Sequence, residues 1–346
     1  MLSLVDKSWS ELLSSPSPAW DAVNIDSDRD FDSVVTATIA AAVVQWFSRR
    51  TDCIRRLQIV GEAPTLPANL LATVLTLQST YLRELYLVVG ATQLTPADLG
   101  ILTSLTALQW LTITLPAEGP TVSLWGGQGG AVMRAVSSLP ALTYVRIQKD
   151  LSYNETESAV ALPSLSTLAS LQSPTISELS VYLNCAGGSI CLGDLPALIE
   201  CHIAITAVNC NALHVPVSAF ESALSMAELA IVGDIFGDIR LTLDPTCLSS
   251  LSMLSVLKLW NCGLTHIPAA LQGVRLSLRQ LELIDNCLEI NQAGLDILLS
   301  LDSIERIKIE IDTLSWTKAS LQFLVVFLSS WNTLHPGCEQ PDLMIV

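Results

Sequence analysis

The stretch LSVLKLWNCGLTHI, residues 254–267, decides the fold of this 346-residue chain. Its leucines stand at the first, fourth, sixth and eleventh positions, with a cysteine at the ninth. Side chains alternate between the two faces of a strand, so the fourth and sixth positions share one face. The cysteine falls where a turn leaving the strand must satisfy backbone groups that no neighbouring strand reaches. The stretch therefore predicts a short strand with one buried face, followed by a turn.

The first half of this pattern, with apolar residues at positions one, four and six, recurs along the chain. The copies are IRRLQI (54–59), LRELYL (82–87), LQWLTI (108–113), LTYVRI (142–147), ISELSV (176–181), LIECHI (198–203), MAELAI (226–231), LSVLKL (254–259), LRQLEL (278–283) and IERIKI (304–309). Neighbouring copies are 22 to 34 residues apart. At the slot that Cys262 fills, the next copy carries Asn286, whereas Gly90, Pro116 and Asp150 occupy it elsewhere. The repeats are therefore irregular, and the longest intervals predict extra loops.

Residues 54–312 resemble the leucine-rich repeat family, whose unit is LxxLxLxx(N/C)xL within about 20–29 residues. The resemblance implies an α/β solenoid with a curved parallel sheet on its concave face and short helices and loops on its convex face. The segments 99–105 and 162–171 space leucines three or four residues apart, which indicates helical turns on the return path. Because one repeat cannot bury its own apolar face, we expect a single cooperative array.

The two ends of such an array need covers, because an open end exposes the core. Residues 31–53 are apolar at helical spacing and predict an N-terminal capping helix that ends with Trp46 and Phe47. Residues 313–346 predict a C-terminal cap, in which the apolar run 321–331 forms the covering element.

Composition restricts the classes of partner. The chain is 50% hydrophobic, which is too apolar for disorder, and its net charge of −16 repels phosphate backbones and anionic lipids. Neither nucleic acid nor a membrane is an expected partner. Nine cysteines form no C-x-x-C pair, and the first residues lack the pattern of a secretory signal peptide. These features predict reduced thiols and a cytoplasmic or nuclear location.

Catalytic motifs are missing from the sequence. The four histidines lie in no H-E-x-x-H motif, and neither G-x-S-x-G nor a phosphate-binding G-x-x-x-x-G-K occurs. The one glycine cluster, residues 126–130, lacks the lysine of a phosphate loop and predicts a flexible insertion. The chain is therefore predicted to be no enzyme, with no cofactor and no metal.

The third position of each repeat strand points to the concave side, and its residues predict a binding face. Neighbouring repeats place Trp110 beside Tyr144, with Tyr86 one strand away, and such aromatics among polar groups are typical of interface hot spots. The next three third positions are Glu178, Glu200 and Glu228, which repel one another and favour a partner with a basic surface. The alternative is a solvated, aggregation-resistant surface with aromatics covered by a loop.

The stretch VDKSWSELLSSPSPAWDAVNI, residues 5–25, resembles the second half of an F-box. The residues that take the family's places are Val5, Trp9, Leu12, Leu13 and Trp20. The family's first half, a Leu-Pro pair and a leucine-rich helix, has no counterpart here, so the stretch is either a module whose gene model starts too late or a relic with a capping role. The predicted segments are 1–30, partial F-box-like; 31–53, capping helix; 54–312, repeat solenoid; and 313–346, C-terminal cap.

The F-box resemblance implies a substrate-recognition subunit of an SCF-type (cullin-based) E3 ubiquitin ligase. In that family the box docks on the ligase's small linker subunit and the repeats capture the protein to be ubiquitinated. The alternative is a non-enzymatic leucine-rich-repeat scaffold of the cytoplasm or cytoskeleton, such as the ciliary axoneme. An extracellular recognition receptor would require a signal peptide and paired flanking cysteines.

Overall fold

Each LxxLxL window carries a strand that begins at its third position, as the repeat pattern predicts. The computed structural model describes residues 22–26, 44–50, 52–60, 68–77, 80–88, 100–115, 131–149, 165–185, 188–207, 212–233, 239–289, 291–311, 318–335 and 341–345. The chain divides into two compact units, Met1–Ala161 and Leu162–Val346.

In the first unit, five parallel strands pair in chain order. They are β1 (Ala22–Asp26), β2 (Arg56–Val60), β3 (Glu84–Val88), β4 (Trp110–Leu115) and β5 (Tyr144–Lys149). The register aligns the fourth window positions, so Leu57, Leu85 and Leu111 stand side by side, and all three are fully buried. The apolar slots therefore form the core, as the alternation of a strand requires.

The described residues of the second unit contain ten strands, which belong to two sheets. They are β6 (Glu178–Cys185), β7 (Gly188–Ser189), β8 (Glu200–Ala207), β9 (Leu213–Val215), β10 (Glu228–Val232), β11 (Leu241–Leu243), β12 (Val256–Trp260), β13 (Gln280–Leu288), β14 (Arg306–Ile311) and β15 (Asp342–Ile345). Strands β6, β8, β10, β12, β13, β14 and β15 pair in parallel in that order. Strands β7, β9 and β11 form a second small parallel sheet on the return path.

The return segments carry short helices. The α-helices are α1 (Ala68–Leu77), α2 (Ala131–Ser137), α3 (Leu165–Ala169), α4 (Gln292–Leu299) and α5 (Lys318–Leu334), and 3₁₀ turns span Val217–Phe220 and Ala269–Val274. The helical turns predicted in 99–105 and 162–171 are confirmed at residues 100–102 and in α3. Strands on one side and short helices on the return path make this an α/β leucine-rich-repeat solenoid.

The polar residue at the ninth position of a repeat binds the backbone of the turn that follows the preceding strand. Asn286 is 5% exposed, and its side-chain amide donates to the carbonyls of Leu259 and Ile284 at 2.8 and 2.9 Å. Its Oδ1 accepts from the backbone N–H groups of Cys262 and Leu264 at 3.0 and 3.2 Å. One side chain thus binds four backbone groups, of which the N–H groups of Cys262 and Leu264 lie beyond the end of β12, where the predicted role of this slot places them.

Both predicted caps are accompanied by an additional strand. Strand β1 pairs with β2, and residues 44–48 form a helical turn with Phe47 buried. At the other end, α5 buries Phe327 and Trp331 and contacts α4, and β15 then pairs with β14. The parallel sheets therefore extend beyond the predicted repeat segment 54–312 at both of its limits.

The binding face was predicted on the polar side of the repeat strands. In both units, the third and fifth window positions project from the face opposite the buried leucines. We call this side the open face of each unit.

Candidate functional site

Trp110 and Tyr144 stack on each other on the open face of the first unit. They are register partners on β4 and β5, with ring centroids 3.5 Å apart and ring planes 13° apart. The Trp110 indole N–H donates to Thr112 Oγ1 at 3.3 Å. Both rings are half-buried, so the pair is held in place while part of it remains in contact with solvent.

Tyr86 lies next to this stack. It is the register partner of Thr112, which is 8% exposed. Burial raises the pKa of the Tyr86 phenol above its usual value, and the negative charge of Glu84 raises it further. The phenol therefore stays neutral at physiological pH. We call Tyr86, Trp110 and Tyr144 the aromatic patch.

Polar groups border the aromatic patch. On one side, the Arg56 guanidinium binds Glu84 through two hydrogen bonds, of which Nη2 to Oε1 measures 3.0 Å. On the other side, Arg146 is exposed, and Gln148 donates to Thr114 Oγ1 at 3.0 Å. An apolar centre with a polar rim is the usual composition of a protein interface.

The three predicted glutamates form a row on the open face of the second unit. Glu178 is the register partner of Glu200, and Glu200 is the register partner of Glu228. Burial raises the pKa of the Glu178 carboxyl, and the neighbouring charge of Glu200 raises it further. We call these three residues the acidic row.

Two fifth-position side chains that sequence reasoning did not select reach the acidic row. Lys258 Nζ donates to Glu228 Oε1 at 2.7 Å, and His202 Nε2 lies 3.4 Å from the same oxygen. Because Ala230 is the register partner of both His202 and Lys258, its small side chain leaves them room to approach Glu228. The sequence could have indicated these contacts, because the third and fifth positions of neighbouring strands are diagonal neighbours on one face of the sheet.

The last strands of the open face carry a hydrogen-bonded polar network. The Trp260 indole N–H donates to Glu282 at 3.1 Å, and Gln280 donates to the other oxygen of Glu282 at 2.6 Å. Arg306 in turn donates to Gln280 Oε1 at 2.6 Å. Trp260 stands at the seventh position, which the selection by third positions did not include.

Buried thiols in the second unit are chemically inert. Burial raises the pKa of Cys201 and of Cys262 to about 12, so both remain protonated at physiological pH. Six cysteines in the described parts of the chain are free, and Cys53 and Cys287 are the exposed ones.

Several predictions fall outside the described residues. They are the F-box-like residues Val5, Trp9, Leu12, Leu13 and Trp20, and the glycine cluster at 126–130. Within the described helices, none has the length and apolar character needed to cross a bilayer.

No protein-family model matches the sequence, and no curated protein matches it significantly. Among solved structures, the chain is similar to the plant peptide hormone receptor RGFR1 in complex with RGF2, with 15% identity and a TM-score of 0.31 over 75% of this chain and 45% of that one.

A second similar structure is the leucine-rich-repeat ectodomain of the receptor kinase GASSHO1/SCHENGEN3 from Arabidopsis thaliana, in complex with Casparian strip integrity factor 2. The identity is 14% and the TM-score 0.19, over 77% of this chain and 40% of that one. The chain thus spans less than half the length of either receptor structure. At these TM-scores neither likeness adds to what the strand register establishes about the fold.

Proposed function

We propose that this chain is a non-enzymatic interaction protein that captures a protein partner on the open face of its first unit. The observation that carries the proposal is the half-buried Trp110–Tyr144 stack beside Tyr86. Tryptophan and tyrosine contribute most often to interface hot spots. Rings already fixed by stacking lose little side-chain entropy when a partner binds, which favours affinity.

The acidic row supports a partner with a basic surface. Lys258 offsets one of its three carboxylates, so the row keeps a negative charge toward solvent. Charge of one sign on a surface accelerates encounter with an oppositely charged partner and disfavours anionic ones. This agrees with the net charge of −16 and with a partner that is neither nucleic acid nor an anionic membrane.

More specifically, we propose that the chain is a substrate-recognition subunit of a cullin-based ubiquitin ligase. The support is the F-box-like stretch with Trp9 and Trp20, whose last residues belong to β1, the strand that pairs with the first repeat strand. In this role the repeats hold the substrate and the N-terminal stretch contacts the ligase's linker subunit. The corresponding location is the cytoplasm or nucleus.

The second candidate is a scaffold of the cytoplasm or cytoskeleton, such as the ciliary axoneme, without a ligase role. It requires only the open face of the repeats and does not require the F-box-like stretch. A scaffold would use the same open face for a fixed structural partner.

The binding proposal is tested by quantitative affinity purification with the tagged full chain. We expect Trp110→Ala and Tyr144→Ala each to reduce partner recovery at least about tenfold, since hot-spot truncations cost about 2 kcal/mol or more. Tyr144→Phe, which keeps the stack, and Val256→Ala, at the matching position of β12, are the controls. Unchanged recovery with both alanine variants contradicts the proposal, and thermal melting checks that each variant is folded at the temperature of the assay.

The ligase role is tested by co-expressing the full chain with the small linker subunit of the cullin-based ligases. We expect the two to co-purify, and we expect Trp9→Ala together with Leu12→Ala to abolish the complex. If wild-type chain does not bind the linker but still captures its partner through Trp110, the scaffold role is supported and the ligase role fails.

A further inference from the structure

A histidine and two glutamates converge at the centre of the second unit's open face. One ligand atom from each of Glu200, His202 and Glu228 lies within 4.8 Å of the other two. The register explains the convergence, because Glu200 and Glu228 are partners while His202 stands opposite Ala230. The methyl group of Ala230 leaves space over which the imidazole approaches Glu228.

The contact between His202 and Glu228 lacks the geometry of a hydrogen bond. His202 Nε2 lies 3.4 Å from Glu228 Oε1, and this nitrogen is shielded from solvent without a hydrogen-bond partner among the described residues, whereas 45% of the His202 side chain is exposed. A buried nitrogen without a partner costs free energy, so an additional group is expected to satisfy it. In the tautomer that leaves Nε2 without a proton, this nitrogen is an acceptor like the carboxylate oxygen, and a cation between the two atoms would satisfy both.

The spacing of these two atoms suits a metal ion. Zinc binds histidine nitrogen and carboxylate oxygen at about 2.0–2.2 Å, which puts neighbouring ligands of a tetrahedral site about 3.3–3.5 Å apart. The observed 3.4 Å between Nε2 and Oε1 falls in that range. Glu200 is exposed, and a small rotation of its side chain would complete a three-ligand set that leaves a position open to solvent.

The local charge also favours a divalent ion. Three carboxylates of the acidic row face one ammonium, that of Lys258, which is 2.7 Å from Glu228 Oε1. With a neutral His202, the group carries two uncompensated negative charges. An ion of charge +2 would neutralise them, whereas Lys258 competes with that ion for the same oxygen of Glu228.

We propose that Glu200, His202 and Glu228 form a binding site for a divalent transition-metal ion of the zinc class. One imidazole nitrogen and two carboxylate oxygens are ligands that Zn²⁺ accepts, whereas Ca²⁺ and Mg²⁺ prefer oxygen ligands alone. The site lies in the second unit and does not depend on partner capture by the aromatic patch. His214, which pairs with the single carboxylate of Asp244 at 3.0 Å, lacks a second carboxylate and provides a matched comparison.

Isothermal titration of the metal-free full chain with ZnCl₂ tests the proposal, after alkylation of exposed thiols with iodoacetamide. We expect one Zn²⁺ per chain, at least about tenfold weaker binding in His202→Gln, as loss of a metal-site group implies, and wild-type binding in His214→Gln. Lys258→Met is expected to bind Zn²⁺ more tightly, because the competing ammonium is gone. CaCl₂ is expected to bind more weakly than ZnCl₂.

Three outcomes would overturn the metal site. They are the absence of Zn²⁺ binding, equal Zn²⁺ affinity in the wild type and His202→Gln, and an unchanged or lower affinity in Lys258→Met. Equal affinity for Ca²⁺ and Zn²⁺ without dependence on His202 would assign the binding to general attraction by acidic groups. Thermal melting of each variant without metal separates loss of the site from loss of the fold.

Discussion

The Trp110–Tyr144 pair of the aromatic patch and the acidic row both occupy third positions of their repeats, yet their side chains are stabilised by different forces. On β4 and β5, Trp110 and Tyr144 stack, and this pair needs no charge. On β8 and β10, the carboxylates of Glu200 and Glu228 repel each other, and Lys258 and His202 approach from the fifth positions. The same strand register therefore presents two chemistries, which differ because different residues occupy the third and fifth positions.

We expect the two units to have the same kind of core, built from buried leucines at equal window positions. Leu111 on β4 and Leu257 on β12 occupy the same window position and are both fully buried. We expect Leu111→Ala and Leu257→Ala each to lower the free energy of unfolding by about 3 kcal/mol, since each leaves a cavity. Chemical denaturation measures both. A cost below about 1 kcal/mol in either variant would show that its strand is not part of a packed core.

A smaller effect is expected on the open faces, where the two regions should respond differently to salt. Trp110→Ala should lower the free energy of unfolding by about 1 kcal/mol through loss of stacking, equally at low and high salt. Lys258→Met should cost at most about 1 kcal/mol, and less at high salt, because it removes an ion pair whose side chains are 24% and 22% exposed. Both are measured by urea unfolding in the presence of a chelator. If both variants showed the same salt dependence, the two regions would not be stabilised by different forces.

The smallest effect concerns pH. The pKa of Glu178 is raised in the folded chain by burial and by Glu200, so folding favours its protonated form. Its contribution to stability is therefore fully present below the unfolded pKa and is lost as the pH rises through the raised value. We expect Glu178→Gln to raise the melting temperature at pH 7 but not at pH 4.

The control for this substitution is Glu221→Gln, since Glu221 is exposed and outside the acidic row. It should leave the melting temperature unchanged at both pH values. If Glu178→Gln instead lowers the melting temperature at pH 7, the glutamate stabilises the fold and the proposed repulsion within the acidic row is wrong.

Much of the fold could be predicted because the repeat has strong periodicity. Every LxxLxL window begins its strand at the third position, and the polar residue Asn286 binds the backbone of the turn that follows the preceding strand, β12. Strands β1 and β15 escaped prediction because neither lies in an LxxLxL window. The sheet of β7, β9 and β11 escaped because strands of two or three residues carry no measurable alternation.

The candidate site was predictable only where it depends on register. Trp110 and Tyr144 are neighbours because equal window positions align on parallel strands, and the sequence contains that information. The approach of His202 and Lys258 to Glu228 depends on the small size of Ala230 and on side-chain rotamers, which spacing does not determine. The roles of the aromatic patch and the acidic row in binding remain predictions.

The central claim, that the first unit's open face holds a protein partner, is tested most directly by site-specific photo-crosslinking in cells. Tyr144 is replaced by p-benzoyl-L-phenylalanine, which keeps an aromatic ring at the patch, and Val256 is replaced in the same way as the matched position on β12. We predict a discrete crosslinked protein from position 144 that is lost when Trp110→Ala is added, and none of that protein from position 256. No crosslink at position 144, or equal crosslinking at both positions, would contradict the account.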